Sequence, residues 1–191
     1  MLAKLDHRLD HRTSFFREPH GFALFSLALR FNIFLCMAAT SAGLLMYRRG
    51  ASGVEFLLVH PGGPFWKNKD AGAWTIPKGE VAQGEEPLKT ARREFEEELG
   101  FSASAAEFIE LQPIKQKAGK IVRAWAFAGD CDPEKIHSNT FTIEWPPKSG
   151  RTAEFPEVDR AGFFPVEEAK TKINPAQIPL LDEVVRLASS A

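Results

Sequence analysis

Three glutamates in the middle of the chain are spaced so that one face of a helix would bring their carboxylates together. Glu94, Glu97 and Glu98 stand at i, i+3 and i+4, and side chains at this spacing are neighbours on a helix surface. Three like charges in one place repel one another unless a cation binds between them. Carboxylate oxygens are hard ligands that suit Mg²⁺ or Mn²⁺. Taken alone, however, the run Glu96-Glu97-Glu98 is usually a solvated helix face.

Residues around the glutamates fit such a metal site. Arg93 precedes Glu97 by four residues, so the two side chains can pair and the orientation of the glutamate is fixed. Gly79 and Gly84 permit a sharp turn of the backbone before the helix. Lys78 would place a cation where phosphate oxygens could bind. Each of these features is common by itself, so only their joint spacing is informative.

That joint spacing matches a known motif. Residues 79–101 fit the pattern Gly-x5-Glu-x7-Arg-Glu-U-x-Glu-Glu-x-Gly-U, in which U is a bulky apolar residue, at every fixed position. Phe95 stands where an aliphatic residue is usual, a departure that concerns packing rather than catalysis. The chain therefore resembles the Nudix hydrolases, and the order of its elements extends the resemblance over roughly residues 39–191. The fixed positions are occupied by Gly79, Glu85, Arg93, Glu94, Glu97, Glu98 and Gly100.

The resemblance implies an α/β fold, a Nudix-type α/β/α sandwich with a mixed β-sheet, and cleavage of a nucleoside diphosphate linked to another group. By position, Glu94, Glu97 and Glu98 are the expected ligands of Mg²⁺ or Mn²⁺, and the Gly79 carbonyl is a further candidate ligand. The expected role of Arg93 is to orient the glutamates. Glu85 is expected to support this arrangement.

Members of this family often use an acidic residue beyond the motif, as a ligand or a general base, shortly before a late strand. Glu154, Glu157 and Asp159 precede the candidate strand 162–164, and their spacing favours Glu157. The alternative is that Glu157 is a solvated loop residue. The metal would orient a water, lower its pKa for attack on phosphorus and offset the charge of the diphosphate.

The segment before the motif bears on the substrate. Residues 74–79 are similar to the run before the motif in dinucleoside polyphosphate hydrolases, which implies a dinucleoside polyphosphate or a nucleoside triphosphate as substrate. Lysines here would neutralise phosphate oxygens, and aromatic rings would stack on a base. The alternatives are solvated lysines and aromatic residues that anchor a loop. The candidates for substrate binding are Lys78, Lys67, Lys69, Trp66, Phe65 and His60.

The periodicity of the remaining sequence predicts the elements that position these residues. Two apolar runs joined by a Gly-rich segment predict a hairpin, and a helical pattern ends at Gly100. Its apolar stripe consists of Leu88, Ala91, Phe95 and Leu99. The last helix is expected to pack through Ile178, Leu181, Val185 and Ala188, widened by Leu180, Val184 and Leu187. The predicted strands span 43–48, 54–60, 74–76, 107–115, 121–128, 141–145 and 162–164, and the predicted helices 86–99, 166–172 and 175–188.

The first 38 residues differ from the rest of the chain. Residues 21–37 are mostly apolar and follow several basic residues, which resembles a signal sequence, but Arg30 and Asn32 interrupt the run. The run is also shorter than the roughly twenty apolar residues that a spanning helix needs. We interpret residues 1–38 as an extension outside a Nudix domain at 39–191, with a targeting segment as the alternative.

Composition bounds the remaining function classes. The 191 residues, of which 44% are hydrophobic and 26% charged, fit one globular domain, and a net charge of −1 gives no reason to expect nucleic acid or an anionic membrane as a partner. Cys36 and Cys131 form neither a disulfide framework nor a metal motif, which predicts a reducing, cytoplasmic location. The rival function is a non-catalytic Nudix module that senses nucleotides or binds RNA, in which the glutamates would be eroded.

Overall fold

The computed structural model describes residues 39–51 and 53–190. The interpretations of residues 1–38 and of Cys36 therefore lie outside the described residues. The elements, in chain order, are β1 (Thr40–Gly50), β2 (Gly53–Pro61), β3 (Lys78–Glu80), α1 (Pro87–Leu99), β4 (Ile109–Glu110), β5 (Ile114–Lys115), β6 (Ile121–Ala128), β7 (Thr140–Glu144), β8 (Thr152–Pro156), β9 (Val158–Pro165), α2 (Val166–Lys172) and α3 (Ile178–Ser190).

Seven of these strands form a mixed sheet with the path β4-β6-β1-β2-β9, to which β3 and β5 add by pairing with β1 and β6. β1 and β6 are parallel, and the other pairs are antiparallel. The predicted hairpin is present, since β1 pairs with β2 as far as Gly50 opposite Gly53. β7 and β8 form a separate two-stranded sheet, the β7–β8 hairpin.

Both faces of the large sheet are buried, which explains the continuous apolar runs in β1 and β2. Side chains alternate between the faces, so Leu45 and Leu58 belong to one cluster with α2 and α3. Leu44 and Leu57 belong to a second cluster with α1. Helices thus cover a mixed sheet on both sides, and the predicted α/β/α sandwich is confirmed.

α1 has the bounds that its end signals predict. Glu86 caps it by accepting hydrogen bonds from the backbone N–H groups of Leu88 and Lys89, at 3.0 and 2.7 Å. Gly100 ends it in the left-handed region at φ 81°, where a glycine carries little strain. Most of the predicted stripe is fully buried, and Leu88 packs at its edge. The residues buried along α1 are Thr90, Ala91, Phe95 and Leu99.

α3 differs from its prediction at both ends. Residues 175–177 form a 3-10 turn capped by Asn174, so the α-helix begins at Ile178 instead of Pro175. Leu180, Leu181 and Val184 are buried, but Leu187 is 41% exposed. The widening of the apolar stripe to Leu187 was therefore wrong, because the last turn of α3 lies beside the end of the β1–β2 hairpin rather than over the cluster.

Three strand predictions need correction. The strand expected over 107–115 is broken into β4 and β5, because Pro113 has no N–H to continue the ladder. The strand expected at 74–76 is reduced to isolated bridges at Trp74 and Thr75, and β3 forms afterwards at Lys78. β7 ends at Glu144, so Trp145 lies outside the strand expected over 141–145, whereas β9 includes the strand expected over 162–164. β8 was not predicted.

α1 and α3 each contain 13 residues. No helix within residues 39–51 and 53–190 is long and apolar enough to cross a membrane.

Candidate active site

The start of the motif lies directly against α1. β3 pairs with β1, with Gly79 opposite Ala42, and this pairing fixes the backbone of Gly79 at the helix surface. A Cβ at residue 79 would collide with the carboxylate of Glu94. The side chain of Glu94 is only 15% exposed. Any side chain at residue 79 would therefore force the carboxylate of Glu94, a candidate metal ligand, to move.

Arg93 connects three of the motif's carboxylates. Its Nη1 lies 2.8 Å from Glu94 Oε1 and 2.8 Å from Glu97 Oε2, and its Nε lies 3.5 Å from Glu85 Oε1. The contact with Glu97 has the i, i+4 geometry that the spacing indicates. A hydrogen bond from Thr90 lowers the pKa of Glu85, which keeps this partner of Arg93 ionised. The role of Arg93 in catalysis stays a prediction.

Glu98 is the most deeply placed of the three glutamates. Its Oε1 accepts a hydrogen bond from the backbone N–H of Lys78 at 3.4 Å, whereas its Oε2 is buried and has no hydrogen-bond partner among the described residues. Burial raises the pKa of Glu98 to about 8, although the nearby charge of Lys78 opposes the shift. A buried carboxylate oxygen without a partner is costly, and a bound cation would satisfy it.

Glu157 lies where its charge reaches the same carboxylates. The pKa of Glu94 is raised by burial, against the effect of Arg93, and the charge of Glu157 adds to the increase for both Glu94 and Glu98. The side chain of Glu157 is exposed. Its backbone N–H and carbonyl are bonded to Asn139 and Gly62, each at 2.8 Å, which fixes its position.

The donor set fits Mg²⁺ or Mn²⁺ in kind, because carboxylate oxygens and one backbone carbonyl are the ligands that these ions prefer. Within residues 39–51 and 53–190, no three His, Cys, Asp or Glu side chains already converge on one point. Arg93 instead neutralises Glu94 and Glu97. Glu97 is 37% exposed and has room to turn from the guanidinium toward a cation.

The predicted phosphate-binding lysines lie in different surroundings. Lys78 is half-buried beside Glu98, and burial lowers the pKa of its ammonium group while the charges of Glu98 and Glu94 oppose this. Lys67 is exposed in the loop after β2. The Nζ of Lys69 lies 4.5 Å from the ring centroid of Trp66.

Trp66 and Lys67 are neighbours in sequence but line different cavities. Trp66, 37% exposed, borders a cavity of about 440 Å³ together with Lys117 and Pro175. Lys67 borders a second cavity of about 500 Å³, which we call the hairpin cavity. The hairpin cavity is lined by Gly63, Pro64, Lys67, Trp145, Phe155, Pro156 and Asp159.

The prediction that His60 stacks on a base is wrong. His60 has no exposed surface, and both of its ring nitrogens are engaged. Nδ1 lies 2.6 Å from Asp159 Oδ1, and Nε2 lies 2.9 Å from the backbone carbonyl oxygen of Lys69. His60 therefore ties the loop after β2 to β9. Phe65, another stacking candidate, is 61% exposed and contacts Trp145 edge to face at 5.4 Å between centroids.

Sequence reasoning missed the aromatic residues of the β7–β8 hairpin. Trp145 and Phe155 line the hairpin cavity, and Asp159 joins them from β9. The period-2 alternation of Phe141 with Ile143, and of Ala153 with Phe155, contained the signal for a paired hairpin. No local pattern indicated that the loop after β2 would pack against it.

Known proteins of one family are similar to this chain in sequence. The family model for the NUDIX domain matches residues 37–184. A mouse protein named bis(5'-nucleosyl)-tetraphosphatase [asymmetrical] is 39% identical over 100 residues, which are 47% of this chain and 64% of the mouse protein. The chain thus spans somewhat less than two thirds of the length of that relative. An RNA pyrophosphohydrolase of Mesorhizobium japonicum is 32% identical over 126 residues, which are 59% of this chain and 68% of that protein.

A solved structure supports the same fold. The crystal structure of a C. elegans Ap4A hydrolase binary complex superimposes with a TM-score of 0.58 at 22% identity, covering 79% of this chain and 99% of the other. At this identity the likeness concerns the fold alone. The family match over residues 37–184, together with the complete motif at 79–101, shows that the chain belongs to the Nudix family.

Proposed function

We propose that the chain is a metal-dependent pyrophosphohydrolase that cleaves a diphosphate linkage in a nucleoside polyphosphate by attack of water on phosphorus. The observation that carries this proposal is the buried Oε2 of Glu98, which has no hydrogen-bond partner among the described residues. Glu94 and Glu97 lie on the same helix face, where Arg93 joins them. A divalent cation bound among these carboxylates would offset their negative charge and give the buried oxygen of Glu98 a partner.

The residues of the chain have separate tasks in this proposal. Glu94, Glu97, Glu98 and the Gly79 carbonyl would hold Mg²⁺ or Mn²⁺. When bound, the ion offsets the charge of the diphosphate and lowers the pKa of an attacking water. Arg93 orients the carboxylates, with Glu85 holding its Nε.

Two further residues would contact the reactants. Lys78 is half-buried beside Glu98, and its ammonium group would neutralise the non-attacked phosphate oxygens. Glu157 is exposed and within electrostatic range of Glu94 and Glu98, and it would accept the proton of the attacking water.

The proposed substrate is a nucleoside triphosphate or a dinucleoside polyphosphate. The name of the mouse relative, a bis(5'-nucleosyl)-tetraphosphatase, supports a dinucleoside polyphosphate. The name of the Mesorhizobium relative, an RNA pyrophosphohydrolase, supports cleavage of a pyrophosphate bond. We place the activity in the cytoplasm, on a small-molecule nucleotide rather than a nucleic acid. The low net charge of −1 supports a small-molecule nucleotide over a nucleic acid.

A substrate panel tests the proposal. The full chain is incubated with Mg²⁺ or Mn²⁺ and nucleoside triphosphates, sugar nucleotides, dinucleotides and dinucleoside polyphosphates. We expect turnover of at least one nucleoside polyphosphate and its loss in Glu97→Gln. Glu96→Gln is the matched control, since Glu96 is an exposed glutamate on the same helix outside the fixed positions of the motif.

Two results would contradict the proposal. One is the absence of turnover for every member of the panel. The other is equal activity in Glu97→Gln and Glu96→Gln. Nucleotide or RNA binding without turnover would identify the non-catalytic module instead.

A further inference from the structure

Glycines allow the two walls of the hairpin cavity, the loop after β2 and the β7–β8 hairpin, to pack closely against each other. A Cβ at Gly62 would collide with the backbone carbonyl of Pro156. Gly63 has φ 86°, and a Cβ there would lie 3.0 Å from the ring of Phe141. The loop after β2 and the β7–β8 hairpin are therefore packed as closely as glycine allows, with the cavity left between them.

The buried His60 and its more exposed partner Asp159 lie on the other side of this cavity. His60 Nε2 holds the carbonyl oxygen of Lys69 in the loop, and Nδ1 holds the carboxylate of Asp159 on β9. Asp159 also lines the cavity. His60 Nδ1 and Arg160 Nε both contact Oδ1 of Asp159, at 2.6 and 3.4 Å, so this carboxylate is held at the cavity by two partners.

The cavity lies beside the candidate metal site. Pro156 and Asp159 line it, and these residues flank Glu157 in the chain. The N–H of Glu157 donates to the carbonyl oxygen of Asn139, and the N–H of Asn139 donates to the carbonyl oxygen of Glu97 on α1, each at 2.8 Å. A ligand that occupied the cavity would therefore extend toward the carboxylates of α1.

The lining residues match the chemistry of a nucleobase. Trp145 and Phe155 offer aromatic surface to a flat ring, and Asp159 accepts hydrogen bonds from N–H groups at its edge. Lys67 provides a cation for an attached phosphate. The volume of about 500 Å³ lies within the range usual for small-molecule sites.

We propose that the hairpin cavity is the subsite for the nucleobase of the substrate, in which the base stacks on Trp145 and donates a hydrogen bond to Asp159. This inference rests on the proposed function, because it takes the substrate to be a nucleotide. It places the base away from the cavity that Trp66 borders, although Trp66 was one of three residues expected from the sequence to stack on a base.

Binding of nucleotides that contain no diphosphate linkage tests the subsite without turnover. The full chain is titrated in Mg²⁺ by calorimetry with the four nucleoside 5′-monophosphates and with ribose 5-phosphate, which has no base. We expect at least one monophosphate to bind at least about fivefold more tightly than ribose 5-phosphate, the size of one base stacked on an aromatic ring. Equal binding of all five probes would overturn the proposal.

Two substitutions at one position separate stacking from volume. Trp145→Leu keeps an apolar side chain but removes the aromatic face, and we expect it to abolish the preference for the monophosphate. Trp145→Phe should keep most of that preference. Thr142→Ala is the matched control, because Thr142 is exposed on the same hairpin and does not line the cavity. A preference that survives in Trp145→Leu would overturn the proposal.

The wild-type chain supplies a measurement that does not depend on the folding of a variant. The indole N–H signal of Trp145, identified by its absence from the spectrum of Trp145→Phe, should shift when the preferred monophosphate is added and stay in place with ribose 5-phosphate. No selective shift would overturn the subsite. If the chain hydrolyses a member of the substrate panel but the Trp145 signal does not shift, the subsite is contradicted and the proposed function is not. If the signal shifts but nothing is hydrolysed, the proposed function is contradicted and the subsite is not.

Discussion

The acidic face of α1 comes from one continuous stretch, residues 79–101, whereas the hairpin cavity is assembled from residues 63–67 and 145–159. On α1, helix spacing alone brings Glu94 and Glu98 to one face, and the short strand β3 places Gly79 against them. In the cavity, residues far apart in sequence meet only because β2 pairs with β9. The first region is therefore set by local geometry and the second by tertiary pairing.

The largest expected effect is that of Gly79→Ala on activity. The added Cβ would collide with the carboxylate of Glu94, so we expect kcat to fall by about a hundredfold, the upper end of the range for residues that support metal ligands. Steady-state kinetics with the preferred nucleoside polyphosphate measures this effect.

Gly84→Ala is the control for Gly79→Ala. Gly84 has φ 82° and nothing within 4 Å of an added Cβ, so this substitution should cost about 1 kcal/mol of stability and leave kcat near that of the wild type. Equal losses of kcat in the two variants would show that backbone strain, rather than contact with Glu94, explains the need for glycine.

His60→Ala probes the second region. It removes the buried partner of Asp159 and of the Lys69 carbonyl, so we expect the free energy of unfolding in urea to fall by about 2 to 4 kcal/mol. Binding of the preferred nucleoside monophosphate should weaken as well, while Mn²⁺ affinity stays unchanged. A loss of Mn²⁺ affinity in His60→Ala would contradict the separation of the hairpin cavity from the acidic face of α1.

The pH dependence of stability tests the burial of Glu98. Its pKa in the folded protein is about 8, above the ordinary value of 4.5, so the folded state binds the proton more tightly than the unfolded state does. In EDTA, stability should therefore fall as pH rises from about 4.5 to 8. Thermal unfolding of the wild type should show a steeper fall than that of Glu98→Gln. Parallel curves would contradict the buried position.

The smallest effect concerns Cys131, which packs at the edge of the α1 cluster. Burial raises the pKa of its thiol to about 11, so little reactive thiolate forms at neutral pH. In a Cys36→Ser background, maleimide labelling at pH 7.5 should be slower than that of a cysteine in an unstructured peptide. Labelling at the rate of the peptide would show that the packing behind α1 is looser than described.

The same comparison explains how much could be predicted from the sequence. The bounds of α1 follow from a proline, a capping glutamate and a terminal glycine that are close together in sequence, and the alternation of Leu44 with Leu45 explains the two covered faces. The spacing of the motif was enough to place Glu94, Glu97 and Glu98 on one face.

Other features depended on contacts between distant segments. His60 is an aromatic residue close to Gly and Pro, and nothing local indicates that it would be buried and bonded to Asp159. The break between β4 and β5 does have a local cause in Pro113, but both pieces still pair with β6. Leu187 continues the apolar stripe of α3 but is exposed. How far a helix extends beyond the sheet that it covers depends on the tertiary packing and not on the helix's own sequence.

Titration with Mn²⁺, followed by electron paramagnetic resonance, tests the central claim most directly. The wild type and Glu96→Gln should bind Mn²⁺ with equal affinity, and Glu98→Gln should bind it at least about tenfold more weakly. Equal affinity in all three proteins would show that the orphaned oxygen of Glu98 is not a metal ligand, and would contradict the account of the site.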